Sequence, residues 1–176
     1  MEEKVLEIRP LAALDAVAFR QIRLQAISDS PSAVWPTYQE EAGRTVKEIE
    51  ARILMTDTQV IFGAFIGRAL IGIAGLHRDP LDQVRHKAVL WGVFVSPYWR
   101  REGLARKLFA QVHSFALKEG VLQIQLCVNA KNVRARTLYR SLGFESFGVE
   151  PRAMRVGDKY FDEDHMVLRL DESFLS

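Results

Sequence analysis

The spacing of apolar residues along this chain changes from element to element, and the changes mark the elements. "VLEIR" (5–9) alternates every second residue and predicts a first strand. "LDAVAFRQIRLQAI" (14–27) carries apolar residues at helical spacing, Ala16, Phe19 and Leu24 among them. "TVKEIEARIL" (45–54) predicts a second, short helix, opened by a capping box between Thr45 and Glu48. Between these helices, "SDSPSAVWPTYQEEAG" (28–43) reads as a long loop or a broken helical segment. Long loops inside compact domains are often binding elements. "QVIFGAFI" (59–66) and "ALIGIAGLHR" (69–78) flank Gly67 and Arg68 and predict a hairpin. "RHKAVLWGVFVS" (85–96) is mostly apolar, which suits a central strand.

The second half is as regular. In "GLARKLFAQVHSFALKEG" (103–120), Leu104, Leu108, Val112, Phe115 and Ala116 form one stripe of an amphipathic helix that Gly120 ends. "LQIQLCV" (122–128) alternates and predicts a strand. "NVRARTLYRSLGF" (132–144) predicts a helix with Asn132 as N-cap and Gly143 at its stop. "ESFGVEP" (145–151) and "EDHMVLRL" (163–170) are the last strands. The order β-α-α-β-β-β-α-β-α-β-β implies an α/β fold, a mixed sheet with helices on both faces. No repeat, low-complexity tract or linker divides the 176 residues, so one domain over 1–176 is expected.

Charge narrows the function classes. The chain has 24 basic and 22 acidic residues, a net charge of +2. That balance argues against a general nucleic-acid binder, whose affinity rests on neutralising several phosphates. The single cysteine, Cys127, excludes a disulfide framework and points to a reducing compartment. Its apolar strand setting predicts a buried, inert thiol. The start "MEEKVLEIRP" lacks the apolar region of a signal peptide, and no apolar run approaches the ~20 residues of a membrane span. A cytoplasmic protein is the expectation. The four histidines show no metal-ligand spacing, so no metal site is expected.

The chemistry concentrates in "SPYWRREGLARKLF" (96–109). Arg100, Arg101 and Gly103 stand between a predicted strand and a predicted helix. A helix N-terminus carries unpaired N–H groups and about half a positive charge. Gly103 lets a backbone approach a bulky anion closely. The combination reads as an anion site, most simply for a phosphate. The plainer reading is two solvated arginines beside a helix start. No G-x-x-x-x-G-K-[ST] and no G-x-G-x-x-G occurs, so neither a P-loop nor a dinucleotide fingerprint is present.

"VSPYWRREGLARKLF" resembles motif A of the GCN5-related N-acetyltransferase (GNAT) superfamily, with Arg100, Gly103 and Ala105 in the positions of [R/Q]-x-x-G-x-[G/A]. "LCVNAKNVRARTLYRSLGFE" resembles its motif B, through Asn132, Ala135, Leu138, Tyr139, Gly143 and Phe144. The resemblance covers most of 59–170 and implies an acetyl-CoA-binding core there, with 1–58 as the acceptor-binding part. It implies a mostly antiparallel sheet whose strands 89–95 and 122–128 splay apart around acetyl-CoA as co-substrate. The pyrophosphate would lie on Arg101, Glu102, Gly103, Leu104, Ala105 and Arg106, with Arg100 adding charge. The pantetheine arm would add along Val93, Phe94 and Val95 and be held by Asn132, with a backbone N–H near Val93 or Phe94 polarising the thioester carbonyl. An amine, on a small molecule or a protein, would attack directly, and Tyr139 would protonate the departing thiolate.

Each role has a structural rival. Tyr139 shares a helix face with Ala135, Leu138 and Leu142 and could be core. Asn132 could be a cap alone. Trp91, Phe94 and Trp99 read as packing. Many family members carry a basic Glu on the strand before motif A, but "AVLWGVFV" has no carboxylate. Glu40, Glu41, His86, Glu150 and "FDEDH" (161–165) are the candidates for that role, and "DED" could equally be a solvated turn. The missing carboxylate also keeps a non-catalytic acyl-CoA-binding or sensor domain open as an alternative. The sequence leaves the acceptor undecided, and a homodimer is compatible with it.

Overall fold

The computed structural model describes residues 5–171; residues 1–4 and 172–176 lie outside the description. The elements run β1 (Leu6–Pro10), α1 (Ala16–Asp29), α2 (Tyr38–Ala42), α3 (Val46–Ile53), β2 (Gln59–Ile66), β3 (Ala69–His77) and β4 (Lys87–Val95). They continue with α4 (Leu104–Lys118), β5 (Gln123–Asn129), α5 (Val133–Ser141), β6 (Glu145–Val156) and β7 (Lys159–Arg169). The expected order holds, with α2 as an addition inside the long segment 28–43.

The strands form one sheet in the order β1-β2-β3-β4-β5-β7-β6. Every pairing is antiparallel except β4 with β5. The apolar strand β4 is fourth of seven, as its composition predicts. One face is covered by α4, whose Leu104, Leu108, Val112 and Ala116 are buried against Phe62, Ala74, Leu90, Ile124 and Met166. Each buried Leu or Val in that stripe contributes about 1.5–3 kcal/mol. Phe115, expected in the stripe, is only half-buried, at its edge. The other face packs on α1 and α3 through Ala16, Phe19, Ile22, Ile49 and Ile53.

Local signals in the sequence explain the helix ends. Thr45 accepts from the Glu48 N–H, and Glu48 reaches back to the Thr45 N–H at 2.7 Å, the capping box that the sequence predicts. Thr45→Ala is expected to cost about 1 kcal/mol in urea denaturation, with the urea dependence of the unfolding free energy unchanged.

The last two strands are longer than their alternation suggests. β6 and β7 form a 12- and 11-residue hairpin, where strands over 145–151 and 163–170 were expected. Register shifts between Ser146 and Gly148 and between Glu150 and Met154 hide the pattern. A bulge moves side chains to the other face, so a period-2 reading stops there.

Candidate functional site

β4 and β5 pair for only three steps, Lys87 with Gln123, Ala88 with Ile124 and Val89 with Gln125. Beyond Val89 the strands part, while β5 stays paired with β7 as far as Asn129 and Glu163. The edge of β4 from Leu90 to Val95 is therefore left without a strand partner on that side. A cleft of about 1100 Å³ opens there. Its walls are β4, the 96–103 turn, the start of α4, β5, α5, α1 and the 30–36 segment, with single residues from α3, β2, β3 and β7.

β4 carries a bulge within the cleft. On β3, Ile73 pairs with Phe94 and Gly75 with Trp91, so Gly92 and Val93 together face Ala74. Gly92 takes the left-handed conformation that this bulge requires, at φ 64°. The extra residue shifts the alternation. Trp91 and Phe94 consequently pack on the same face, against the α1–α3 core. A lone Gly inside an apolar strand was the available signal for this bulge.

The strand-to-helix turn gathers unpaired backbone N–H groups and positive charge at the cleft. Arg101 and Gly103 both lie in the left-handed region, at φ 70° and 73°. Alternating hands of backbone turn successive N–H groups into one concavity. The first i to i−4 bond of α4 runs from Lys107 N–H to the Gly103 carbonyl at 3.1 Å. The N–H groups of Leu104, Ala105 and Arg106 precede it and have no acceptor within the helix, and no side chain caps the helix. All three residues line the cleft. A Cβ at Gly103 would meet open space, so the dihedral, not crowding, requires glycine there.

Arginines surround the turn. Arg100 donates to the Val95 carbonyl at 2.9 Å and to Asp29 of α1 at 2.7 Å. This hydrogen bond holds the Asp29 carboxyl below its usual range. Arg100 is thus a brace between β4, the turn and α1 as well as a source of charge. Arg101 and Arg106 line the cleft, and so does Arg134 of α5, which the motif reading passed over. Of the residues expected at the cofactor site, Val93, Phe94, Val95, Arg100, Arg101, Gly103, Leu104, Ala105, Arg106 and Asn132 all line the cleft; Glu102 does not.

Across the cleft, α5 presents Asn132 and Tyr139. Asn132 Oδ1 caps the helix, accepting from Ala135 N–H at 3.1 Å. The Tyr139 ring packs edge-on to Phe144, with centroids 5.8 Å apart, and burial pushes its phenol up to about 12. Among the described residues no hydrogen bond engages its hydroxyl, so the group remains a donor for whatever enters the cleft.

The carboxylates sort themselves by contact. Glu40 closes the cap of α2 on Thr37. Glu41 is fully buried and accepts from Arg23 and Arg52, with Arg44 3.5 Å away. Glu150 pairs with His165 at 3.1 Å. Asp164 is held by Arg136 and Ser146, and Asp162 accepts from Arg152 N–H. His86 is not part of the cleft wall. Of the carboxyl candidates only Glu163 lines the cleft, at 4% exposure, with Oε1 fixed by Trp35 Nε1–H at 2.9 Å. Among the described residues its second oxygen accepts nothing. Trp91, Phe94 and Trp99, expected as packing, line the cleft too.

Cys127 corrects an expectation. It is exposed on the cleft side of β5, not buried, because Ile124, Leu126 and Val128 take the core face. Partial burial first, then Glu163 and Glu150, push its thiol up to about 11, so it stays protonated and a poor nucleophile. Among the described residues no group of His, Cys, Asp and Glu side chains could hold a metal ion, and no helix is long and apolar enough to cross a membrane.

Comparisons with known proteins agree with this geometry. The chain is 33% identical over 98 residues to the N-alpha-acetyltransferase RimI of Mycobacterium tuberculosis, covering 53% of this chain and 57% of that protein. It is 35% identical over 94 residues to an uncharacterised protein of Mycobacterium leprae, covering 51% of this chain but only 24% of that protein. The chain therefore spans only part of the length of both mycobacterial relatives. Over 116 residues it is 26% identical to the aminoglycoside N(6')-acetyltransferase type 1 of Salmonella typhimurium, covering 64% of this chain and 78% of that one. Its fold matches an acetyltransferase of the GNAT family from Streptococcus pneumoniae, with a TM-score of 0.85 at 23% identity, over 95% of this chain and 100% of that one. A protein from Salmonella typhimurium described as an acetyltransferase, solved with its cofactor acetyl-CoA, matches with a TM-score of 0.81 at 24% identity, over 96% and 95%. A profile of the acetyltransferase (GNAT) family matches residues 23–144, and the chain belongs to that family.

Proposed function

We propose that this chain is an N-acetyltransferase that moves the acetyl group of acetyl-CoA to an amine in a ternary complex. The observation that carries the reading is the course of the cleft. An unpaired strand edge, Leu90 to Val95, leads into the concavity formed by Arg101, Gly103 and the free N–H groups of α4. A thioester on a pantetheine arm with a pyrophosphate has both chemistries in that order. The amide arm takes the strand edge and the pyrophosphate takes the helix N-terminus.

The residues then divide the reaction. Backbone N–H groups at the Gly92–Val93 bulge are the donors for the thioester oxygen, which gains charge as the amine attacks. The amine nitrogen forms its bond to the carbonyl carbon, and the C–S bond breaks. Glu163 is the carboxylate positioned to take the amine proton, directly or through water. Tyr139 gives its proton to the leaving sulfur. A free alkylamine has a pKa near ~10.4, so a base is needed at neutral pH.

The first test is binding. Acetyl-CoA and desulfo-CoA are both expected to raise the melting temperature, since a ligand of the native state stabilises it by mass action. Gly103→Val forces a β-branched residue into φ 73° at an exposed turn. The fold should survive, with a loss of about 1–2 kcal/mol, while affinity for both compounds falls at least ~30-fold. Calorimetry that shows no heat with either compound at millimolar concentration removes the reading. Normal binding by Gly103→Val places the pyrophosphate elsewhere.

A further inference from the structure

The acceptor end of the cleft has a charge arrangement that acetyl transfer alone does not require. Glu41 carries one negative charge, and three guanidiniums surround it: Arg23 at 3.4 Å, Arg52 at 3.1 Å and Arg44 at 3.5 Å. Two positive charges are left over. Arg44 stands outside the cleft, but Arg23 and Arg52 line it. They flank the Trp91 ring, with guanidinium carbons 5.8 and 5.1 Å from its centroid. The ring face takes up some of the charge but offers no hydrogen-bond acceptor.

Arg23 is the more telling of the two. It is 4% exposed, and only its Nε is bonded, to Glu41. Among the described residues, no oxygen accepts from its two terminal nitrogens. A buried guanidinium with four idle N–H donors is costly unless something brings acceptors to it. Burial above all pushes its pKa down, with Arg52 and Arg44 acting the same way against Glu41. The carboxylates on the wall are Asp29, already paired with Arg100, and Glu163.

The location restricts what the anion can be. Arg23 Nη1 lies 3.5 Å from where a Cβ on Gly92 would stand, which places it at the bulge in β4. In the acetyl-transfer reading the amine attacks beside that same bulge. An anionic group on Arg23 and a nucleophilic nitrogen at the thioester can then be only a few bonds apart. CoA phosphates bind at the other end of the strand edge, on Arg101 and the start of α4, so they do not account for the Arg23 donors.

We propose that the acceptor is a small zwitterion, an amine with a carboxylate or similar anion two or three bonds away, its anion held by Arg23 and Arg52 on the cleft floor beside Gly92. An α-amino acid has this chemistry in its simplest form. The ammonium side faces Glu163 across the cleft, while polycationic acceptors meet the two surplus guanidinium charges and are disfavoured. The proposal rests on the acetyl-transfer reading above and deepens it.

The test is a set of matched acceptors with the wild-type protein at saturating acetyl-CoA, with CoA release as the readout. Each α-amino acid is compared with its own carboxamide, which keeps the side chain and an α-amine but removes the anion. The amino acid is expected to win by at least ~30-fold in kcat/KM, because a desolvated, charge-assisted guanidinium–carboxylate contact is lost in the amide. Arg23→Met should lower kcat/KM for the amino acid at least ~30-fold and leave that for the carboxamide within about 3-fold. Glu41 keeps Arg44 and Arg52 in that variant, so its buried charge is still compensated. Arg52 is the more exposed arginine, and Arg52→Gln gives a second reading, the same shift at a smaller size, should Arg23→Met not fold. Acetylation of carboxamides or plain amines as fast as amino acids overturns this inference and leaves acetyl transfer standing. Binding of acetyl-CoA with no acetylation of any amine overturns both.

Discussion

Replacing Glu41 with Gln is expected to lower the melting temperature by roughly 10 °C, a loss of about 3–5 kcal/mol. The substitution keeps shape and volume, so the loss measures charge. Glu41 is fully buried, and Arg23 beside it is 4% exposed. Without the carboxylate, guanidiniums from α1, the α2–α3 link and α3 face one another with no counter-charge. Gln can still accept one or two hydrogen bonds, but it cannot neutralise three cations. Its neighbour Glu40 is the control. Glu40 is exposed and closes only the cap of α2, so Glu40→Gln should leave the transition nearly where it was. Equal, small shifts for both variants would mean that water reaches the Glu41 site and that the three arginines do not depend on it.

The Glu41 hub also links stability to the site. Arg23 and Arg52 both reach from the hub to the cleft floor. The same guanidiniums that fasten α1, α2 and α3 together are those left with spare donors. Glu41→Gln should therefore weaken acceptor binding as well as the fold, whereas Thr45→Ala should touch only the fold.

What could be read in advance follows from the range of each interaction. The α4 stripe, the β2–β3 hairpin, the Thr45–Glu48 box and the Asn132 cap are set by neighbours a few residues apart, and all were legible. The cleft-lining turn was legible because strand, glycine and helix are contiguous. Glu41 was not, because its partners come from separate elements and a carboxylate in a loop-like stretch looks solvated. Nor was the bond from Trp35 to Glu163, which joins residues 128 positions apart. That bond, with Asn129 donating to the Ser32 carbonyl at 3.0 Å, ties the 31–36 segment over the end of β5 and the β7 residue paired with it. It singles out Glu163 from an acidic cluster that sequence alone cannot order. Cys127 was misjudged for a different reason. Strand β5 is apolar enough to suggest burial on both sides, but its period-2 pattern, Ile124, Leu126 and Val128 against Gln123, Gln125 and Cys127, already assigned the thiol to the cleft face.

Tyr139→Phe is expected to lower kcat by about 10- to 100-fold and to leave the acetyl-CoA KM nearly unchanged. The phenol is pushed up to about 12, so it stays protonated across the neutral and mildly alkaline range. A weaker acid looks unsuited to a thiolate, whose thiol ordinarily has a pKa of about 8.5. The departing sulfur, however, gains its charge in the same cleft, where burial raises thiol and phenol alike. The proton therefore moves between groups whose mismatch is smaller than their solution values suggest. Phe keeps the ring on Phe144, and no hydrogen bond of the hydroxyl is lost among the described residues, so the melting temperature should hold within a degree or two. Single-turnover measurement keeps product release from masking the chemical step. The loss should also shrink as the pKa of the leaving thiol falls, since a more stable thiolate needs a proton less. An unchanged rate with acetyl-CoA, or a loss that is the same for every leaving group, makes Tyr139 a packing residue of α5 and passes the proton's delivery to water.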